Sequence, residues 1–192
     1  MKKIPHKRRD FFMRKYLTIP TAILISAVFF TACKPSEKQK RPDLNLLYTC
    51  KADILWGETE AEAEFKRLGN GDWDINFTGP DTLSGLTVSF RDGTAHCEMN
   101  GVSADIAGEN IPDGSLFDLV CGALDSGAND TGDCIADENL LIGKGHNQNG
   151  DYELLFTADT MELCGIKIPD SELEAVIEDF QPIELPPVET AE

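Results

Sequence analysis

A chain of 192 residues is long enough for one domain of ordinary size with short appendages, and 41% hydrophobic residues are enough for a buried core. Its 17 basic residues against 34 acidic ones leave a net charge of −17. A field of that sign repels nucleic acid and anionic lipid headgroups, which excludes the nucleic-acid binders and suits solubility outside a cell.

The charge is unevenly spread. Seven basic residues (Lys2, Lys3, Lys7, Arg8, Arg9, Arg14 and Lys15) and one acid stand in residues 1–32, so the chain from Cys33 onward carries ten basic and 33 acidic residues. The basic run precedes Thr21-Ala-Ile-Leu-Ile-Ser-Ala-Val-Phe-Phe30, an apolar stretch too short for an ordinary membrane-spanning helix. Residues 1–32 therefore read as a targeting segment. It ends on Phe30-Thr31-Ala32-Cys33, which resembles the lipobox of bacterial lipoproteins: an apolar residue, two small ones, then the cysteine that is lipidated and becomes the new N-terminus. Phe30 stands where Leu or Val is usual. The resemblance implies a lipid on Cys33 and attachment to the extracytoplasmic face of the cell membrane, and a diacylglycerol there meets the two-chain requirement for stable anchoring. A plain signal peptide cut before an ordinary cysteine is the alternative. Arg8-Arg9-Asp10-Phe11-Phe12 resembles the twin-arginine export motif, while Met13 offers a second start that would leave residues 1–12 outside the protein. Residues 33–45 read as a polar tether, residues 46–180 as the folded domain and residues 181–192 as an acidic, disordered tail.

Within the domain, Tyr48, Cys50, Ala52, Ile54 and Trp56 alternate with Lys51 and Asp53, which predicts a strand with one apolar face. A second strand places Ala61, Ala63 and Phe65 inward and Glu60, Glu62, Glu64 and Lys66 outward. Trp73, Ile75 and Phe77 alternate with Asp74 and Asn76, and Leu86, Val88 and Phe90 with Thr87 and Ser89. Asn70-Gly71 and Asp92-Gly93 supply the positive-φ residues of tight turns, and Gly79-Pro80 stops the ladder. Ala95, Cys97 and Met99 oppose His96 and Glu98, then Asn100-Gly101 turns into a short strand over residues 101–106. The period changes at Ser115, which with Asp118 makes a capping-box-like start to a helix over residues 115–125. Leu116, Val120 and Ala123 share one stripe of it, with Phe117, Cys121 and Leu124 beside them. Residues 127–137 read as a polar loop. Strands resume at Leu140-Leu-Ile142, at Tyr152, Leu154 and Phe156 beyond an Asn149-Gly150 turn, and over residues 163–168. Leu173, Val176, Ile177 and Phe180, at i, i+3, i+4 and i+7, predict a closing helix opened by Pro169-Asp-Ser171. The fold class is α+β: a curved antiparallel sheet, an incomplete barrel of about seven to nine strands, with one or two helices on its concave face.

No nucleophile with a base beside it, phosphate-cradling loop, dinucleotide fingerprint or zinc spacing occurs, so no catalytic residue, metal site or cofactor is assigned. The loop from Asp125 does not fit an EF-hand, with Asp130 at the sixth position and Ala136 at the twelfth. Asp72 and Asp74 flank Trp73 in a way compatible with sugar binding or, more plainly, with a core tryptophan between solvated neighbours. Five cysteines beyond Cys33 leave at least one thiol free, and Cys121–Cys134 is one pairing that an extracytoplasmic location allows.

The lipobox, Tyr48-Thr-Cys-Lys-Ala-Asp-Ile54, Gly71-Asp-Trp-Asp-Ile-Asn-Phe77, Pro80 with Leu83-Ser-Gly-Leu86, and the apolar mid-chain helix together resemble the LolA-like lipoprotein-carrier superfamily over residues 46–180. More narrowly they resemble small lipoproteins of Gram-positive gut bacteria with that fold. The resemblance implies a non-enzymatic carrier in which an incomplete barrel holds a lipid or lipoprotein acyl chain between its concave face and a helical plug. Trp56, Phe65, Trp73, Phe77, Val88 and Phe90 would line the face, and Leu116, Phe117 and Val120 the plug. Each such aromatic gains roughly 2–3 kcal/mol on burial, so the face must be covered or bind something apolar. The alternative is a helix that completes a solid core, in a lipoprotein that works as a scaffold or adaptor through contacts with an envelope protein.

Overall fold

The computed structural model describes residues 38–69 and 71–184. The targeting segment, Cys33, Asn70 and residues 185–192 lie outside the described residues. Twelve strands form one sheet: β1 (Lys38–Lys40), β2 (Tyr48–Trp56), β3 (Thr59–Gly69), β4 (Asp72–Gly79), β5 (Thr87–Arg91), β6 (Thr94–Met99), β7 (Val102–Ala107), β8 (Asp133–Asp137), β9 (Leu140–Asn147), β10 (Gly150–Thr157), β11 (Leu163–Ile168) and β12 (Leu173–Pro182). A single α-helix among the described residues, α1 (Leu116–Asn129), joins β7 to β8. The sheet order is β1-β8-β9-β10-β11-β12-β2-β3-β4-β5-β6-β7. Every neighbouring pair is antiparallel.

The alternation that predicts β2, β3, β4 and β6 is kept in their burial, whereas Val88 to Arg91 of β5 are all half-buried. Tyr48, Cys50, Ala52 and Ile54 are buried, as are Ala61, Ala63 and Phe65, while Glu60, Glu62, Glu64 and Lys66 are exposed. Asn100 and Gly101, at φ 53° and 77°, make the tight β6–β7 turn that their chemistry calls for. Ser115 caps α1, its Oγ accepting from the Asp118 N–H at 3.3 Å.

Contacts of α1 require the sheet to curl. β5 and β9 stand seven places apart. Seven steps of about 4.8 Å would separate them by roughly 34 Å in a flat sheet. Yet the Phe117 ring lies 5.1 Å from Phe90 on β5. On the next residue, Asp118 Oδ1 accepts from Gln148 Nε2 at 3.1 Å, and its carbonyl from Asn149 Nδ2 at 3.3 Å, both in the β9–β10 turn. A helix is only about 10–12 Å wide with its side chains. One face of the sheet therefore bends around α1, which is the incomplete-barrel geometry expected from the sequence. Trp73, Tyr48, Leu119, Val120, Leu124, Leu141, Leu154 and Phe156 meet there in one core.

Four expectations are corrected. The closing helix does not form: only Pro169–Ser171 makes a 3-10 turn, and residues 173–182 are β12, inserted between β11 and β2. Leu173, Ala175 and Ile177 are buried, a period of two. The segment carries both periodicities, and two waiting strand edges decide between them. The loop expected at 127–137 is the last turn of α1 followed by β8. Gly127 reads as a loop residue, but it is glycine because a Cβ there would collide with Cδ1 of buried Leu154. The tether is shorter than expected, since Lys38–Lys40 pair with β8 and Arg41 and Leu44 are buried. At the other end, Gln181 and Pro182, assigned to the tail, pair with Thr49 and Tyr48. The strand total exceeds the expected one because β1, β8 and β12 read in sequence as tether, loop and helix.

In an open helix interior, Gly→Ala stabilises by about 1 kcal/mol. For Gly127→Ala the overpacking against Leu154 reverses the sign, and a loss of about 1–3 kcal/mol is expected in urea unfolding. A raised midpoint would contradict the close packing of α1 on β10.

Candidate functional site

The residues expected to line an apolar pocket converge, but they fill it. Phe65, Trp73 and Val120 are 2%, 0% and 0% exposed. Phe77, Val88, Phe90, Leu116 and Phe117 are half-buried and pack against the same core. Trp56 is the exception at 37% exposure. It keeps the inward phase of β2, but as the last residue before the Gly57 turn it projects past the packed interior.

Between α1 and the β4–β5 strands a cleft of about 260 Å³ remains. Its walls include Trp73, Phe90, Phe117, Asp113, Asp118 and Gln148. That is below the roughly 300–1,000 Å³ of ligand pockets, and the carboxylates on its wall do not suit an acyl chain.

Beneath the cleft is a node that the sequence reading misses. Trp73 Nε1 donates to Asp125 Oδ2 at 2.8 Å, and Arg67 Nε donates to Asp125 Oδ1 at 3.0 Å. Arg67 Nη1 also donates to the Leu46 carbonyl at 3.1 Å. Trp73 is thus held by a carboxylate from α1, and neither of its sequence neighbours serves. Asp74 instead meets Arg91 Nη2 at 2.6 Å and accepts from Ser89 Oγ at 2.9 Å. A signal for the node does exist in the sequence: Arg67 continues the inward phase of Ala61, Ala63 and Phe65, and a cation on that phase demands a buried partner. Arg41 is a second such case. It is 5% exposed, ion-paired to Asp130 at 2.8 Å, and donates from Nη2 to the Lys144 carbonyl at 2.7 Å.

The opposite, polar face of β2 to β5, with the end of β12, holds a groove of about 710 Å³. Lys51, Glu64, Lys66, Asp74, Thr87 and Asp179 border it. Lys51 pairs with Asp179 at 2.8 Å, and this hydrogen bond holds the ammonium pKa above its ordinary value. Asp74 is neutralised by Arg91 as above. Two ion pairs, Lys51–Asp179 and Asp74–Arg91, thus stand at the groove. Among the described residues no group of three metal-ligating side chains occurs, and no helix is long and apolar enough to cross a membrane.

The five described cysteines are free thiols, so Cys121 and Cys134 are not bonded. Burial pushes Cys50 up to about 12 and Cys164 up to about 11, and it raises Cys121 well above the ordinary thiol value. These thiols are held neutral, with no thiolate available for chemistry near neutral pH.

No protein-family model matches the chain, and no curated protein does. Solved structures do. The chain is similar to an uncharacterized conserved protein from Thermus thermophilus, with a TM-score of 0.46 and 11% identity over 74% of this chain and 82% of that one. It is similar to a LolA superfamily protein from Nitrosomonas europaea, with a TM-score of 0.37 and 10% identity over 76% and 90% of the two chains. It is also similar to a DUF1329 family protein from Desulfovibrio piger, with a TM-score of 0.31 and 12% identity over 72% and 86%. The fold itself defines the class as α+β, an open antiparallel sheet curled on one helix.

Two outcomes are expected. Asp125→Ala leaves Arg67 buried without its carboxylate and should cost about 3 kcal/mol in chemical unfolding, whereas Asp74→Ala, at a half-buried pair, should cost only about 1 kcal/mol. Equal losses would dispute the node. The second concerns pH. Cys50 rises from 9.0 to about 12 on folding, so its contribution is fully present below pH 9 and is lost as pH climbs towards 12. Unfolding free energy measured across that window should fall with pH, and less steeply for Cys50→Ala.

Proposed function

We propose that the chain is a membrane-anchored, extracytoplasmic, non-enzymatic lipoprotein with a solid core, acting as a scaffold or adaptor through protein contacts in the cell envelope. The anchor rests on the basic and apolar leader and on the lipobox-like Phe30-Thr31-Ala32-Cys33. The observation that favours a scaffold over a carrier is the filled interior. Leu119, Val120, Ala123 and Leu124 of α1 are each at most 1% exposed against the sheet. An acyl chain could enter only by displacing α1, which would give up its buried apolar contacts and the Trp73–Asp125–Arg67 node.

The reading is tested on the full chain expressed in a bacterium that processes lipoproteins. Wild type should fractionate with membranes, and Cys33→Ala should move to the soluble fraction. Native mass spectrometry of the detergent-extracted protein should give the chain and its covalent modification alone. A non-covalently held lipid in stoichiometric amount would transfer the assignment to acyl-chain carriage, and membrane retention of Cys33→Ala would remove the lipid anchor.

A further inference from the structure

The two edges of the sheet are built differently. β1 is three residues long and carries Lys38 and Lys40, the kind of short, lysine-bearing edge that resists pairing. β7 is six residues long, Val-Ser-Ala-Asp-Ile-Ala, with no lysine or proline and no register shift against β6. Apart from Ile106 its residues are exposed, and Val102 is 74% exposed although it is the large apolar side chain at its end.

The pairing of β7 with β6 fixes which of its backbone groups are free. Met99 and Val102 flank the two-residue turn, and Gly108 N donates to the Gly93 carbonyl at the far end of the same register. Hydrogen-bonded and non-hydrogen-bonded pairs alternate along an antiparallel ladder. Val102, Ala104 and Ile106 therefore bond inward to β6, and the N–H and C=O groups of Ser103, Asp105 and Ala107 point away from the sheet. Asp105 and His96 form a non-hydrogen-bonded pair, where side chains come closest, and their Oδ1 and Nδ1 lie 2.6 Å apart.

We propose that β7 pairs antiparallel with β7 of a second copy, about a two-fold axis at Ala104. Five registers bring outward-pointing residues opposite each other, and those centred on Ile106 and Ala107 leave Val102, Ser103 and Ala104 without a partner in β7. One centred on Asp105 puts carboxylate against carboxylate, which is unfavourable. One centred on Ser103 leaves Asp105, Ile106 and Ala107 without a partner in β7. The register centred on Ala104 pairs five of the six residues, Val102 to Ile106. It sets Ser103 opposite Asp105 of the second copy, a hydroxyl donor against a carboxylate, in a hydrogen-bonded pair. It sets Val102 opposite Ile106 of the second copy and Ala104 opposite its own equivalent, all on the apolar phase. The sequence of β7 is thus complementary to itself, and the two sheets become continuous. The contact is small and belongs to the transient class of interface, so covalent trapping is the fitting assay.

The experiment uses the full chain in native membranes. Cys97 lies directly across β6 from Ala104 and would capture a thiol placed there, so Cys97→Ser is the background. At the axis, opposed Cα atoms of a non-hydrogen-bonded pair stand about 4.5 Å apart, within disulfide range. Ala104→Cys should give a disulfide-linked dimer under mild oxidation. Glu98→Cys, exposed on the neighbouring strand, should react roughly tenfold more slowly or not at all. Adding Ser103→Pro to Ala104→Cys removes an outward donor without touching the β6–β7 ladder, and it should abolish the dimer while the thermal melt is kept. Absence of the dimer with Ala104→Cys, equal trapping with Glu98→Cys, or an adduct to a different polypeptide in its place would each overturn the proposal.

Discussion

A sheet this wide has one apolar face, and the described chain supplies a single 14-residue helix to cover it. That shortage of cover sets the shape. Strands seven places apart reach the same turn of α1 only because the sheet bends through the space between them. The bend then has to be held at the point where helix and far strands meet, and Asp125 does this. It accepts from Trp73 on β4 and from Arg67 on β3, so one carboxylate ties α1 to two strands through groups that are themselves inside. Burying a guanidinium is costly unless it is paired, and the pairing here exists only in the curled arrangement.

Much of the fold is legible in the residues. β2 to β7 are read from alternation and turn chemistry because each is paired with its sequence neighbour, so local pattern and final structure agree. β12 is not legible in the same way. Leu173, Val176, Ile177 and Phe180 fit a helix, while Leu173, Ala175 and Ile177 fit a strand, and only the open edges of β2 and β11, far apart in sequence, select the second. Gly127 misleads for a related reason: its meaning lies in Leu154, a residue on another element. The apolar lining is legible as a set, since eight of the nine named residues gather in or against the core. Whether such a set encloses space or fills it depends on side-chain volumes across α1, which one-dimensional periodicity does not contain.

The closed interior moves attention to the outside of the molecule. Among the described residues its cations are few and mostly engaged: Lys51, Arg91 and Lys144 are paired with Asp179, Asp74 and Glu153. The remaining surface is strongly acidic, which keeps copies apart at long range but is screened within about 8 Å at physiological salt. Short-range complementarity along an edge therefore acts with little electrostatic opposition once two molecules are close.

The central position of β12 also bears on how the protein comes into being. A chain leaving a ribosome or a translocon emerges from its N-terminal side, so the meander β2–β7 and the later strands β8–β11 are both available before the segment that joins them. Until residues 173–182 arrive, β2 and β11 are two bare edges facing an unfilled slot. Any chaperone that accompanies this polypeptide has its work defined by that interval, and a ribosome that stalls before residue 173 leaves two half-sheets with nothing to bridge them.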